Sequence, residues 1–124
     1  MSYENRRFTR VTVSHPISLT LPDGRTFETK MVDISALGIC VTTLQSLSIG
    51  AECKIHFQFE DDKHVRAEGK VIRNEGTQMA IEFTGIESDS LDDLRNFIVS
   101  HADDPGTTDV EILSHMDLLP PLHG

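Results

Sequence analysis

Ala51-Glu52-Cys53-Lys54-Ile55-His56-Phe57-Gln58-Phe59 is the stretch on which the fold is decided. Its apolar residues Cys53, Ile55, Phe57 and Phe59 fall on every second position, with Glu52, Lys54, His56 and Gln58 between them. That is the two-residue period of a strand with one buried face. Glu60-Asp61-Asp62-Lys63 follows as a polar turn, and a second extended run, Val65 to Arg73, returns from it. That run passes through Asn74-Glu75-Gly76-Thr77 into Met79, Ile81 and Phe83, again on alternate positions. Towards the N-terminus, Val11, Val13, Ile17, Leu19 and Leu21 alternate with polar residues, and His15-Pro16 interrupts them where a bulge or a sheet edge is expected. Pro22-Asp23-Gly24 is a turn signal, Thr26 to Val32 returns antiparallel, and after Asp33–Gly38 the run Ile39 to Thr43 reads as a short strand. About six short strands at intervals near ten residues predict a mainly β fold, a six-stranded antiparallel β-barrel, because closure removes the sheet edges that invite aggregation.

At Ser90 the period changes. Leu91, Leu94 and Ile98, with Phe97 beside them, are spaced for one helical face, and Ser90-Leu91-Asp92-Asp93 reads as a capping box with Asp in place of Glu. One C-terminal helix is therefore expected on the barrel, ending at His101-Ala102-Asp103-Asp104-Pro105-Gly106. Thr108 to about Leu118 can form a short second helix, opened by Thr108 with Glu111 three residues on and stopped by Pro120-Pro121. The organisation expected is a mobile arm over residues 1–10, a barrel plus helix over 11–101, and an acidic tail over 102–124 that is in part helical.

Composition narrows the function. The 124 residues carry 11 Lys+Arg against 20 Asp+Glu, a net charge of −9, with 38% hydrophobic and 25% charged residues and no Trp, the balance of a small globule. Residues 1–10 hold Arg6, Arg7 and Arg10 against Glu4 alone, so the remainder is more acidic than the whole. Such a body is a poor binder of DNA or RNA, whose affinity comes from neutralising many phosphates at once; three arginines on a short arm suit a small anion better. The start, MSYENRRFTR, is polar where a signal peptide needs an apolar core, and no run of apolar residues is long enough for membrane insertion. Two isolated cysteines, Cys40 and Cys53, fit a reducing cytoplasm and should not pair.

No catalytic constellation is visible, and the chain is read as not an enzyme. The six histidines form no HExxH or HxH pair, no Ser lies in a GxSxG elbow, and no metal-ligand spacing occurs. His56 and His64 read as ordinary surface histidines, Cys53 as a small core residue, and Phe57 and Phe59 as core rather than as a stacking platform.

Two segments remain: Arg6-Arg7-Phe8-Thr9-Arg10 and, further on, Asp33-Ile34-Ser35-Ala36-Leu37-Gly38. Alone, the first is a solvated basic tail and the second an Asp/Ser/Gly turn. Together, as RxxxR and then DxSxxG, they resemble the signature of the PilZ domain family, with Arg6, Arg10, Asp33, Ser35 and Gly38 in place without substitution. The resemblance extends over about residues 4–101 and implies a PilZ-like split barrel. It also implies a receptor for the bacterial second messenger cyclic di-GMP, with no cofactor beyond that ligand. Residue chemistry fits the ligand. Arg6 and Arg10, with Arg7 nearby, offer paired N–H donors to guanine O6 and N7 and to phosphate. Asp33 is an acceptor for guanine N1–H and the N2 amine, Ser35 offers a hydroxyl to the base amine or a phosphate, and Gly38 lets the backbone turn or approach closely.

On this reading the ligand orders the arm across the barrel mouth and changes the surface shown to an unidentified protein partner, in motility or biofilm control. The alternative is a nucleotide-independent PilZ-like adaptor in pilus or flagellar machinery, which would be favoured had the arginines or Asp33 been replaced. In the family, an additional arginine directly before RxxxR accompanies uptake of two intercalated ligands; here that position is Asn5, which implies one ligand per chain. From Glu87 to Asp117 nine Asp or Glu stand against Arg95, which suits either a basic partner or a solvated helix face.

Overall fold

The structure, a computed structural model, describes residues 11–35, 37–42, 47–60, 62–101 and 121–122. Its first two strands, β1 (Val11–Thr20) and β2 (Thr26–Ile34), form a hairpin. At its turn the Gly24 amide donates to the Leu21 carbonyl, and Gly24 takes a φ of +93°, a left-handed conformation that glycine adopts without steric cost. β3 (Gly38–Thr42) lies beside β2, while β1 pairs on its other side with β4 (Glu52–Phe59), followed by β5 (Lys63–Asn74) and β6 (Gln78–Glu87). All these pairs are antiparallel, and β3 pairs with β6 to close a six-stranded barrel.

Alternation in the sequence becomes two faces. Val11, Ile34, Ile39, Ile81 and Val71 share one register row across five strands, and all five are buried. Each such side chain contributes roughly 1.5–3 kcal/mol by leaving water. Gly69 lies on the same inner face of β5. A Cβ there would sit 2.6 Å from Ile81 Cγ2 and 2.8 Å from the Glu82 carbonyl oxygen, so β5 and β6 approach too closely for any other residue.

The helix α1 (Leu91–His101) buries Leu94, Phe97 and Ile98, the stripe expected from their spacing. Phe97 meets the rings of Phe57 and Phe59 at centroid distances of 5.0 Å each, which ties the helix to the start of the β4–β5 turn. His15 joins this cluster: its ring lies 5.3 Å from that of Phe97, and its Nε2–H donates to the Gln58 carbonyl at 2.8 Å. The irregularity expected at His15-Pro16 falls just before it: the register shifts between Thr12 and His15, while His15 and Pro16 pair regularly with Met31 and Lys30. Among the described residues no helix is long and apolar enough to cross a membrane.

Three details depart from the sequence reading. Ser90 belongs to a 3-10 turn (Ser88–Ser90) that runs into α1, and its buried hydroxyl accepts from the Arg66 amide of β5 at 2.8 Å, so it pins the helix start to the barrel. Pro121, expected together with Pro120 to stop a second helix, instead forms with Leu122 a two-residue strand, β7, parallel to Ile86 and Glu87 of β6. The segment Thr108 to Leu118 lies outside the described residues. Finally, His56 and His64 form a pair, with His56 Nε2 and His64 Nδ1 3.0 Å apart. Their planes differ by 6° at a centroid distance of 5.2 Å, which is the N–N separation plus two ring radii. The imidazoles therefore lie edge to edge along one N–H···N bond rather than face to face. Cys53 is buried in the core, as expected, and Cys40, on the opposite register from Ile39 and Val41, is buried as well; burial pushes the Cys53 thiol up to about 11, where it is no nucleophile.

Candidate functional site

The DxSxxG segment lies where β2 ends and β3 begins. Asp33 is the penultimate residue of β2, half-buried, with Thr12 of β1 opposite it on one side and Cys40 of β3 on the other. Val11, Ile34 and Ile39 point into the core on the neighbouring register, so by strand alternation Asp33 belongs to the outer face.

Beyond Ile34 the backbone turns sharply. The Ser35 amide donates to the Gly38 carbonyl at 2.9 Å, and the Leu37 amide donates to Ser35 Oγ at 3.1 Å. Ser35 is fully buried, so its hydroxyl holds the turn from inside. The Phe83 amide donates to the Leu37 carbonyl at 2.8 Å, which ties the turn to β6.

Gly38 opens β3 opposite Glu82. A Cβ built on it would lie 2.1 Å from the Ile81 carbonyl oxygen and 3.0 Å from Glu82 Cα, both backbone atoms that cannot swing aside. The close approach that this glycine permits is thus to β6, at the seam where the barrel closes. Nothing in the local sequence reveals that reason, because Ile81 and Glu82 are distant in the chain.

Arg6, Arg7 and Arg10 lie outside the described residues, as does Ala36. Where their segment joins the barrel is nevertheless clear: the chain enters β1 at Val11, which pairs with Ile34, one residue before Ser35. Both halves of the motif therefore meet the barrel at the same end of the β1–β2 hairpin.

A cavity of about 490 Å³ is bounded instead by Leu21, Pro22 and residues 52–54 of β4 and 68–70 of β5. Two lysines, Lys54 and Lys70, and two glutamates, Glu52 and Glu68, line it. Their charges cancel, which gives a dianion no reason to settle there, and none of Asp33, Ser35 and Gly38 borders it. Among the described residues no group of three or more His, Cys, Asp or Glu could hold a metal ion.

Comparison with known proteins agrees with this architecture. The structure resembles the PilZ domain of YcgR from Escherichia coli, solved with c-di-GMP, with a TM-score of 0.63 at 14% identity, over 92% of this chain and 98% of that one. It also resembles the PilZ domain of CeSA from a cellulose-synthesizing bacterium, with a TM-score of 0.60 at 16% identity over 74% of this chain and 96% of that one. A third likeness is to the inhibitor of motility MotI/DgrA of Bacillus subtilis, with a TM-score of 0.61 at 18% identity; it covers 79% of this chain but only 51% of the longer protein. At these identities the likeness shows the fold alone. No curated protein matches the chain by sequence. The sequence model of the PilZ domain family, however, matches residues 4–100, a span that takes in both the arginine segment and the Asp33–Gly38 turn, and the chain belongs to that family.

Proposed function

We propose that the protein is a bacterial cyclic di-GMP receptor that reads the ligand with Asp33 and holds it with Arg6 and Arg10, with Arg7 beside them. The observation that carries this reading is the join at Val11–Ile34, where the chain that follows the arginine segment enters the barrel next to the Asp33–Gly38 turn. Asp33 supplies acceptors for guanine N1–H and N2–H, a donor pattern that adenine lacks. The arginines supply charge and forked donors for phosphate and the guanine O6/N7 edge. Ser35 and Gly38 act through the turn, one by holding it and the other by letting it lie against β6. Ligand that bridges the arm and the turn orders the arm and alters the surface offered to a protein partner, with motility or biofilm control as the output. The neighbour YcgR, whose PilZ domain was solved with c-di-GMP, supports the choice of ligand. The reading involves no chemistry on the ligand, and it places the receptor in the cytoplasm.

Titration calorimetry with cyclic di-GMP, cyclic di-AMP and GTP tests the proposal. Binding of cyclic di-GMP at least about a hundredfold tighter than cyclic di-AMP is expected, since a site built to pair buried polar groups rejects an analogue that leaves them unpaired. Arg10→Ala should weaken cyclic di-GMP by about 1.5–3 kcal/mol, the worth of a charge-assisted hydrogen bond, with little change in the unliganded melting temperature. Wild-type affinity in that variant, or equal binding of both dinucleotides, would overturn the assignment.

A further inference from the structure

The register of the outer face extends the site beyond its two motifs. Asp33 pairs with Cys40, Cys40 with Ala80, and Ala80 with Arg73, so one outer row runs from β2 across β3 and β6 to β5. Its two middle members are small and almost wholly covered, Cys40 at 4% and Ala80 at 6% exposure. The far end is irregular. Val71 pairs with Ile81 and Arg73 with Ala80, so Ile72 is the extra residue of a β-bulge. Val71 is fully buried, whereas Ile72 is 49% exposed and the Arg73 side chain 58% exposed. Regular alternation would send one of two consecutive side chains inward; the bulge sends both out, and bulges commonly re-aim side chains beside binding sites. An isoleucine half in water has no explanation in barrel packing.

We infer that this bulge supplies the far wall of the ligand site, with Ile72 against the face of a guanine and Arg73 on a phosphate, at the other end of this row from Asp33. Three strand spacings separate the two walls, about 14 Å along the sheet, a span suited to a ligand with two bases and two phosphates. Asp33 and Arg73 are complementary in charge to what they face: an acceptor for base donors at one end and a cation for the dianion at the other. Arg73 is available for exchange, because its present partner is Glu75, at 3.2 Å between Nε and Oε2, and both side chains are more than half exposed. Such a surface pair holds little energy against a ligand phosphate.

The inference rests on the cyclic di-GMP reading, and calorimetry on the full chain separates the two. Arg73→Ala should weaken cyclic di-GMP about five- to thirtyfold, as loss of one charge-assisted contact does, and Ile72→Ala about threefold or more. Arg25→Ala removes the same charge at the distant Pro22–Gly24 turn, where Arg25 pairs with Asp23, and should bind within about twofold of wild type. Far-ultraviolet circular dichroism and melting curves confirm that each variant keeps the barrel. If wild type binds and Arg73→Ala binds within about twofold of it, the far wall is refuted while the receptor reading stands. Arg25→Ala weakening binding as much as Arg73→Ala would equally refute it, since net charge alone would then account for the loss. Failure of wild type to bind at all removes both.

Discussion

At the scale of single residues, the DxSxxG turn divides into residues that build and a residue that reads. Gly38 builds: a methyl group 2.1 Å from the Ile81 carbonyl oxygen must push β3 away from β6 at the seam that closes the barrel. Gly38→Ala should therefore lower unfolding stability by about 2–3 kcal/mol, the cost of overpacking against atoms that cannot rotate away, and urea denaturation measures it. Asp33, half-buried on the outer face, is the reader on the proposed function, so Asp33→Ala should shift the urea midpoint far less than Gly38→Ala while losing cyclic di-GMP affinity about tenfold or more. A Gly38→Ala variant as stable as wild type would show that the seam yields. The sequence could name these residues but not sort them, because the atoms that make Gly38 necessary come from a strand more than forty positions away.

At the scale of elements, period decided what could be read. Strands β1, β2, β4, β5 and β6 and the stripe of α1 were legible because each carries its buried residues at a fixed spacing over several positions. What escaped depends on contacts between elements: β7 pairs in parallel over only two residues, too few for any period to show, and Ser90 bonds across to Arg66 rather than along its own helix. The β5 bulge escaped for the same reason, since a run such as Val71-Ile72-Arg73 gives no sign of which residue is extra until β6 lies beside it. The His56–His64 bond likewise joins two strands. Burial, then the Arg66 cation and His64, hold the His56 imidazole below its ordinary value, and Glu87 opposes them. A histidine whose pKa is lower in the folded state binds fewer protons there than in the unfolded chain, so its contribution is intact above about pH 6.5 and falls as the medium is acidified through that value towards the folded pKa. Stability of wild type should thus decline below about pH 6.5 more steeply than that of His56→Gln. Denaturation midpoints from pH 7.5 to 5 check this, and parallel curves for the two proteins would remove His56 as the cause.

At the scale of the whole molecule, the net charge of −9 opposes the binding of any dianion. Each cyclic di-GMP brings two phosphates to a body that already repels them, so the count of ligands depends on how many cations converge on one face. On the proposed function Arg6 and Arg10, four apart, are assigned to one ligand, and Arg73 on the inferred far wall to that same ligand. The family resemblance associates an intercalated pair with an arginine directly ahead of the motif, and Asn5 occupies that position. Arg7 does not replace it in an extended arm, since adjacent side chains there point to opposite sides and Arg7 lies next to Arg6. One cyclic di-GMP per chain is therefore expected in wild type. Asn5→Arg should move the ratio towards two, because the added guanidinium offers both charge and a planar face on which a second guanine can stack. Calorimetric titration at protein concentrations well above the dissociation constant reads the ratio directly. A wild-type value near two refutes the expectation, and its fall to one in Arg7→Ala would identify Arg7 as the cation that the alternation argument set aside.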